Sequence, residues 1–148
     1  MKKVEDDLDI LIADDDPDFR EFVQVALKRT EFHGHFRQVE DGEQLLDYLD
    51  RRQGDPSPKS APPRPALILL DLNMPRKNGL EALKEIRSNP ELRSIPVVIL
   101  SISDDSKDIQ QSYLLGANTF ITKPDSMESL FKIVNLLKEY WIKTAQLP

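Results

Sequence analysis

Residues 66–75 read ALILLDLNMP. Five apolar side chains run unbroken from Ala66 to Leu70, stop at Asp71, and give way to a turn through Leu72-Asn73-Met74-Pro75. So short and continuous a run suits a strand covered on both faces, as in a parallel sheet flanked by helices. Two further runs have the same form. Ile10–Ala13 ends in Asp14, Asp15 and Asp16, and Pro96–Leu100 ends at Ser101. Thr119–Thr122 is a shorter run ending at Lys123-Pro124, while His35–Val39 alternates only weakly, as an edge strand would.

Helical periods fill the gaps between these runs. Asp16 is a suitable N-cap with Pro17 at the first helical position, and Phe19, Phe22, Val23, Ala26 and Leu27 form one apolar stripe. Glu43–Leu49 gives a short second helix, and Leu80, Leu83 and Ile86 mark a third. Ile109, Tyr113 and Leu114 mark a fourth, closed by Gly116. A capping-box pattern, Asp125 with Glu128, opens a fifth that runs through Met127, Leu130, Phe131, Val134 and Leu137 to Trp141. Five strands alternating with five helices predict one doubly wound α/β domain over 1–148, with helices on both faces of a parallel sheet. One link is long. Residues 53–65, with the stretch GDPSPKSAPPRP, have no hydrophobic period and read as a flexible proline-rich insertion before the third strand. Residues 141–148 read as a C-terminal extension.

Composition narrows the function classes. The 148 residues contain no cysteine, which excludes disulfides, thiolate metal sites and thiol nucleophiles. Two histidines, His33 and His35, are too few for a histidine metal cage and read as strand-edge residues. The net charge is -6, and the longest basic pair is Arg51-Arg52, so neither DNA nor RNA is an expected partner. No apolar run approaches the ~18 residues that span a bilayer, and the polar start MKKVEDDLD is unlike a secretory signal. The expectation is a cytoplasmic protein with no membrane partner.

In an open parallel sheet, ligand chemistry gathers outside the carboxyl ends of the strands. Those ends carry Asp14, Asp15, Asp16, Asp71, Ser101 and Lys123. Carboxylates within hydrogen-bonding range repel one another unless a cation sits among them. An all-oxygen donor set suits Mg²⁺ or Mn²⁺ better than zinc. A hard divalent ion beside an ammonium and a hydroxyl suits phosphoryl handling, with an aspartate able to become an acyl phosphate. No glycine-rich nucleotide cradle is present. Taken singly, the aspartates could be a solvated helix N-terminus, Ser101 a turn cap and Lys123 a surface charge. Their joint placement at four strand ends favours a site.

On these residues the chain resembles the receiver domain of two-component response regulators over about residues 8–140. The resemblance implies a flavodoxin-like sheet of order 2-1-3-4-5. It makes Asp71 the phosphorylated residue, Asp14 and Asp15 the acidic pair, Ser101 the switch hydroxyl, Lys123 the lysine of the site and Phe120 the switching aromatic. Mg²⁺ would be held by Asp15, Asp71 and the carbonyl of Asn73, with Asp14 acting through water. Asn73 and Ile102 would flank the water that hydrolyses the acyl phosphate. The implied partner is a sensor histidine kinase, and the insertion and tail resemble regulators of bacterial and cyanobacterial phytochrome kinases. In that subgroup the end of the fifth helix and the tail help form a homodimer, making Trp141 and Leu147 interface candidates. Three other readings stay open: a relay to a histidine phosphotransfer protein, a constitutive binding pseudo-receiver, and a metal-dependent phosphatase. Asn73 counts against the last, because small phosphatases of the family usually carry an aspartate there.

Overall fold

The computed structural model describes residues 5–54 and 64–148, with the side chains of Asp6 and residues 51–54 left aside. Most of the proline-rich stretch, 55–63, lies outside the described residues. After a 3-10 turn at Glu5–Asp7, β1 (Asp9–Ala13), α1 (Pro17–Arg29), β2 (His35–Val39), α2 (Gly42–Gly54) and β3 (Leu67–Leu70) follow in order. The rest comprises α3 (Gly79–Ser88), β4 (Val97–Ser101), α4 (Ser106–Leu114), β5 (Thr119–Thr122) and α5 (Met127–Leu137), then a π-helical segment, Lys138–Thr144. The five strands are parallel in the order β2-β1-β3-β4-β5, as expected, with His35 on the edge strand.

Alternation along the buried strands divides the core into two layers. Leu11, Ala13, Ile68, Leu70, Val97 and Ile99 face α2 and α3, meeting Leu45, Leu49, Leu83 and Ile86. The intervening Ile10, Ile12, Leu67, Leu69, Val98 and Leu100 face α1 and α5, meeting Phe19, Val23, Leu27, Leu130 and Val134. Apart from Asp9 at the start of β1 and Ser101 at the end of β4, each central strand is apolar throughout, and its register against its neighbours fixes where its polar end emerges.

Several helix expectations need correction. Phe22, expected on the α1 stripe, is 45% exposed, one step beyond the face that meets the sheet. The second helix is longer than Glu43–Leu49, continuing to Gly54. Tyr113 and Leu114 on α4 point outward, and the residue α4 buries is Ser112, whose hydroxyl donates to the Asp108 carbonyl at 2.7 Å. The N-cap of α5 is Ser126, not Asp125: its hydroxyl accepts from the Ser129 N–H at 3.1 Å. The regular helix also stops at Leu137, short of Trp141. There the wider π turn carries on, and buried Lys138 donates to the Thr30 carbonyl at the end of α1.

The end of α1 closes through Glu31, which has φ 63. The Glu31 N–H donates to the Lys28 carbonyl and the Phe32 N–H to the Leu27 carbonyl, the double bond of a Schellman motif. Left-handed backbone is costly for a residue with a Cβ, so Glu31→Gly is expected to stabilise the fold by about 1 kcal/mol. Urea denaturation checks this: the midpoint should rise with no change of slope.

Candidate functional site

Four strand ends converge on one acidic pocket. Pairing of β1 with β3 sets Ala13 beside Leu70, and the Asp71 N–H donates to the Ala13 carbonyl at 3.0 Å. Asp14 and Asp71 therefore leave adjacent strands side by side, both buried. Asp15, the next residue, is exposed. One carboxylate oxygen from each of Asp14, Asp15 and Asp71 lies within 4.8 Å of the others. Asp16 is not part of this group; its carboxylate caps α1 by accepting from the Asp18 N–H at 2.9 Å.

Lys123 enters from the end of β5. Its Nζ lies 2.8 Å from Asp14 Oδ2 and 3.7 Å from Asp71 Oδ2, and its side chain is 9% exposed. The same ammonium stands 4.2 Å above the centre of the Phe19 ring, a cation–π contact the sequence did not announce. Its backbone N–H donates to the Ser101 carbonyl at 2.7 Å, tying the ends of β4 and β5 together. Ser101 is fully buried, and its hydroxyl accepts from the Ser103 N–H at 3.2 Å. Phe120, half-buried, packs against the core layer of α2 and α3, and its N–H donates to the Tyr113 hydroxyl at 3.1 Å. Asn73 and Ile102 are exposed near the strand ends. Trp141 and Leu147 lie at the far end of the chain, each half-buried against the core layer of α1 and α5.

One ammonium faces two buried carboxylates, and the imbalance shows in their proton affinities. Burial raises the Asp14 pKa, opposed by the hydrogen bond from Lys123 and by the Asp16 N–H. Burial and the neighbouring Asp14 charge push Asp71 up to about 6, opposed by Lys123 and by the N–H groups of Leu72 and Asn73. Asp71 Oδ1 is buried and has no hydrogen-bond partner among the described residues. An orphaned carboxylate oxygen amid two more carboxylates is the setting a hard divalent cation stabilises, so these residues fit Mg²⁺. Asp14, Asp15 and Asp71 form that metal site.

A pH dependence follows for the metal-free protein. Asp71 ionises less readily when folded than when unfolded, its value rising from 3.8 to about 6. Its contribution to stability is thus fully present below the unfolded value and lost as pH rises through the folded one. Melting temperatures measured without divalent ions should show Asp71→Asn gaining on the parent between pH 4 and pH 7. A constant difference across that range would contradict the assignment.

Gly79 was absent from the sequence reading. It opens α3, its N–H donates to the Leu72 carbonyl at 2.9 Å, and a Cβ there would lie 2.1 Å from the Asp71 carbonyl oxygen. The helix thus packs directly against the backbone that carries Asp71.

Among the described residues, no helix is long and apolar enough to cross a membrane. Residues 10–135 match the family model described as the response regulator receiver domain. Response regulator Rcp1 of Synechocystis sp. is 38% identical over 94% of this chain and 92% of its own length. The phosphorylated cyanobacterial phytochrome response regulator RcpA superposes with a TM-score of 0.86 at 39% identity, covering 96% of this chain and 99% of that one. Response regulator RPA3017, in red light signaling of R. palustris, gives 0.85 at 33% identity, covering 95% and 98%. The chain belongs to the response regulator receiver domain family, closely related to phytochrome-partnered regulators, and it accepts a phosphoryl group on its aspartate cluster as a signalling switch.

Proposed function

We propose that Asp71 is the phosphoacceptor and that the donor is a phosphohistidine of a sensor histidine kinase of the phytochrome class. One observation carries the assignment of Asp71: its Oδ1 is buried with no hydrogen-bond partner among the described residues, while Oδ2 is within reach of Lys123. In the reaction, a carboxylate oxygen of Asp71 attacks phosphorus, the O–P bond forms, the P–N bond breaks, and the imidazole leaves, taking up a proton from solvent. Bound at Asp14, Asp15, Asp71 and the Asn73 carbonyl, Mg²⁺ would supply charge neutralisation for the phosphoryl oxygens. Lys123 holds Asp14 and orients the attacking carboxylate. The kinase class is supported by likeness to a phytochrome response regulator and to a regulator in red light signaling.

The response follows from the same groups. The Ser101 hydroxyl, which accepts from the Ser103 N–H, donates its own proton to a phosphoryl oxygen, and Phe120 changes its rotamer. The surface of α4, β5 and α5 then shifts between two states already in equilibrium. The domain is proposed to be a single unit over 1–148, with the proline-rich stretch as an insertion within it. It is further proposed to pair with a second copy of itself. Leu136 and Tyr140, 69% and 57% exposed, would supply apolar surface beside the exposed parts of Trp141 and Leu147.

The test is phosphorylation by acetyl phosphate in Mg²⁺, read by intact mass. One phosphoryl group should be added to the parent and none to Asp71→Asn. A parent that takes up none, and that also fails to bind beryllium fluoride, is no phosphoacceptor. Transfer from a purified phytochrome kinase, with other histidine kinases as controls, tests the partner.

A further inference from the structure

The loop between β3 and α3 is strained and is fastened on both sides. Arg76 has φ 66, and the Lys77 N–H donates to the Pro75 carbonyl at 2.7 Å, closing a γ-turn around it. A γ-turn with positive φ at a residue bearing a Cβ is held only by surrounding contacts. From the α3 side, Asn78 and Glu81 form a capping box and Lys77 pairs with Glu85 at 2.6 Å. The α2 side supplies a second set. Asp41 is buried, with one oxygen accepting from the Gln44 N–H at 2.8 Å and the other facing Arg76 at 3.3 Å. The adjacent Gly42 N–H donates to the Lys77 carbonyl at 3.0 Å, and a Cβ at 42 would lie 2.3 Å from that oxygen.

Capping α2 does not by itself require a charge, since asparagine caps as well as aspartate. The buried charge of Asp41 instead meets a cation on the strained turn. That turn lies three residues beyond Asn73, on the loop that leaves β3 directly after Asp71. Of the contacts that hold Arg76 in its left-handed conformation, the ion pair is the one made by its own side chain.

We infer that Asp41 is a positioning residue of the phosphoacceptor site: paired with Arg76, it clamps the strained β3–α3 loop and so holds Asn73 and the end of β3 in place beside Asp71. This rests on the reading of Asp71 as phosphoacceptor and extends it to a residue on another element, 35 positions before Arg76 in the chain. Release of the clamp lets the turn relax and unsettles the loop that borders the metal site.

The experiment follows phosphoryl uptake from acetyl phosphate at a series of Mg²⁺ concentrations, with melting temperatures alongside. Asp41→Asn keeps the α2 cap and loses the charge, whereas Arg76→Gln changes only an exposed side chain and should fold normally. Each is expected to raise the half-saturating Mg²⁺ concentration about tenfold, as loss of outer support for a metal site does. The double variant should be no worse than the more affected single one, because both remove one interaction. Arg76→Lys should recover most of the loss. Placing Arg76→Gly in the Asp41→Asn background should recover it too, because glycine takes positive φ without strain. The clamp is overturned by a fall in melting temperature with unchanged Mg²⁺ dependence, or by losses that simply add in the double variant. No uptake by the parent would overturn the phosphoacceptor reading and the clamp together; normal uptake with indifferent variants would overturn the clamp alone.

Discussion

Gly79→Ala is expected to cost about 3 kcal/mol of stability and most of the phosphoryl uptake. The added methyl group would stand 2.1 Å from the Asp71 carbonyl oxygen and 2.9 Å from the Leu72 Cα. Both obstacles are backbone, so no side-chain rotation can make room. Either α3 backs away from the sheet and loses the bond from Gly79 to the Leu72 carbonyl, or the end of β3 moves and takes Asp71 with it. Chemical denaturation gives the stability change, and acetyl phosphate labelling gives the activity. Gly79→Ser should behave alike, which separates the missing space from any polarity effect. Unimpaired labelling in a variant of parental stability would show that the helix start can yield.

Lys123→Met should have the second large effect, and its sign depends on pH. Lys123 is the cation that pairs with Asp14 and Asp71 among the described residues; both carboxylates are buried, and the Lys123 side chain is 9% exposed. Methionine keeps much of the length and apolar bulk of the stem, while the ammonium's contact over the Phe19 ring goes with the charge. What disappears is the countercharge, and breaking a buried pair costs about 3–5 kcal/mol. The loss should be greatest near pH 8 without metal. It should shrink as pH falls towards 6, because Asp71 without Lys123 takes up its proton at higher pH than in the parent and so removes the uncompensated charge. Added Mg²⁺ should likewise restore part of the stability at pH 8. Labelling should drop by about two orders of magnitude, the usual consequence of removing a positioned electrostatic donor. A destabilisation independent of pH would mean that packing, not charge, is the main contribution of Lys123.

The sheet was legible because its strands are unbroken apolar runs ended by charge. Ile10–Ala13 and Leu67–Leu70 are buried on both faces, so their first polar neighbours, Asp14 and Asp71, had to emerge together at one edge. Helix faces were less legible. Tyr113 and Leu114 carry the period of a core-facing helix yet lie outside, because apolar surface may also remain exposed. At α5, Asp125 and Ser126 are both good N-caps, and nothing local separates neighbours of equal capping strength. The support around the site left no pattern at all. Asp41 and Arg76, or Phe19 and Lys123, meet only because the fold brings distant residues together. Gly79 is an ordinary turn glycine in sequence; its role depends on how closely α3 approaches β3.

The sparse burial of α4 has a dynamic consequence. Ser112 is its buried residue, while Tyr113 and Leu114 project outward. With so little apolar surface to expose on detachment, α4 is expected to open locally at far lower free-energy cost than global unfolding. Its amide hydrogens should exchange with solvent well before those of β3 or β4. A phosphoryl group at the strand ends thus has little work to do: it biases a segment that thermal motion already releases, while the doubly covered sheet stays closed.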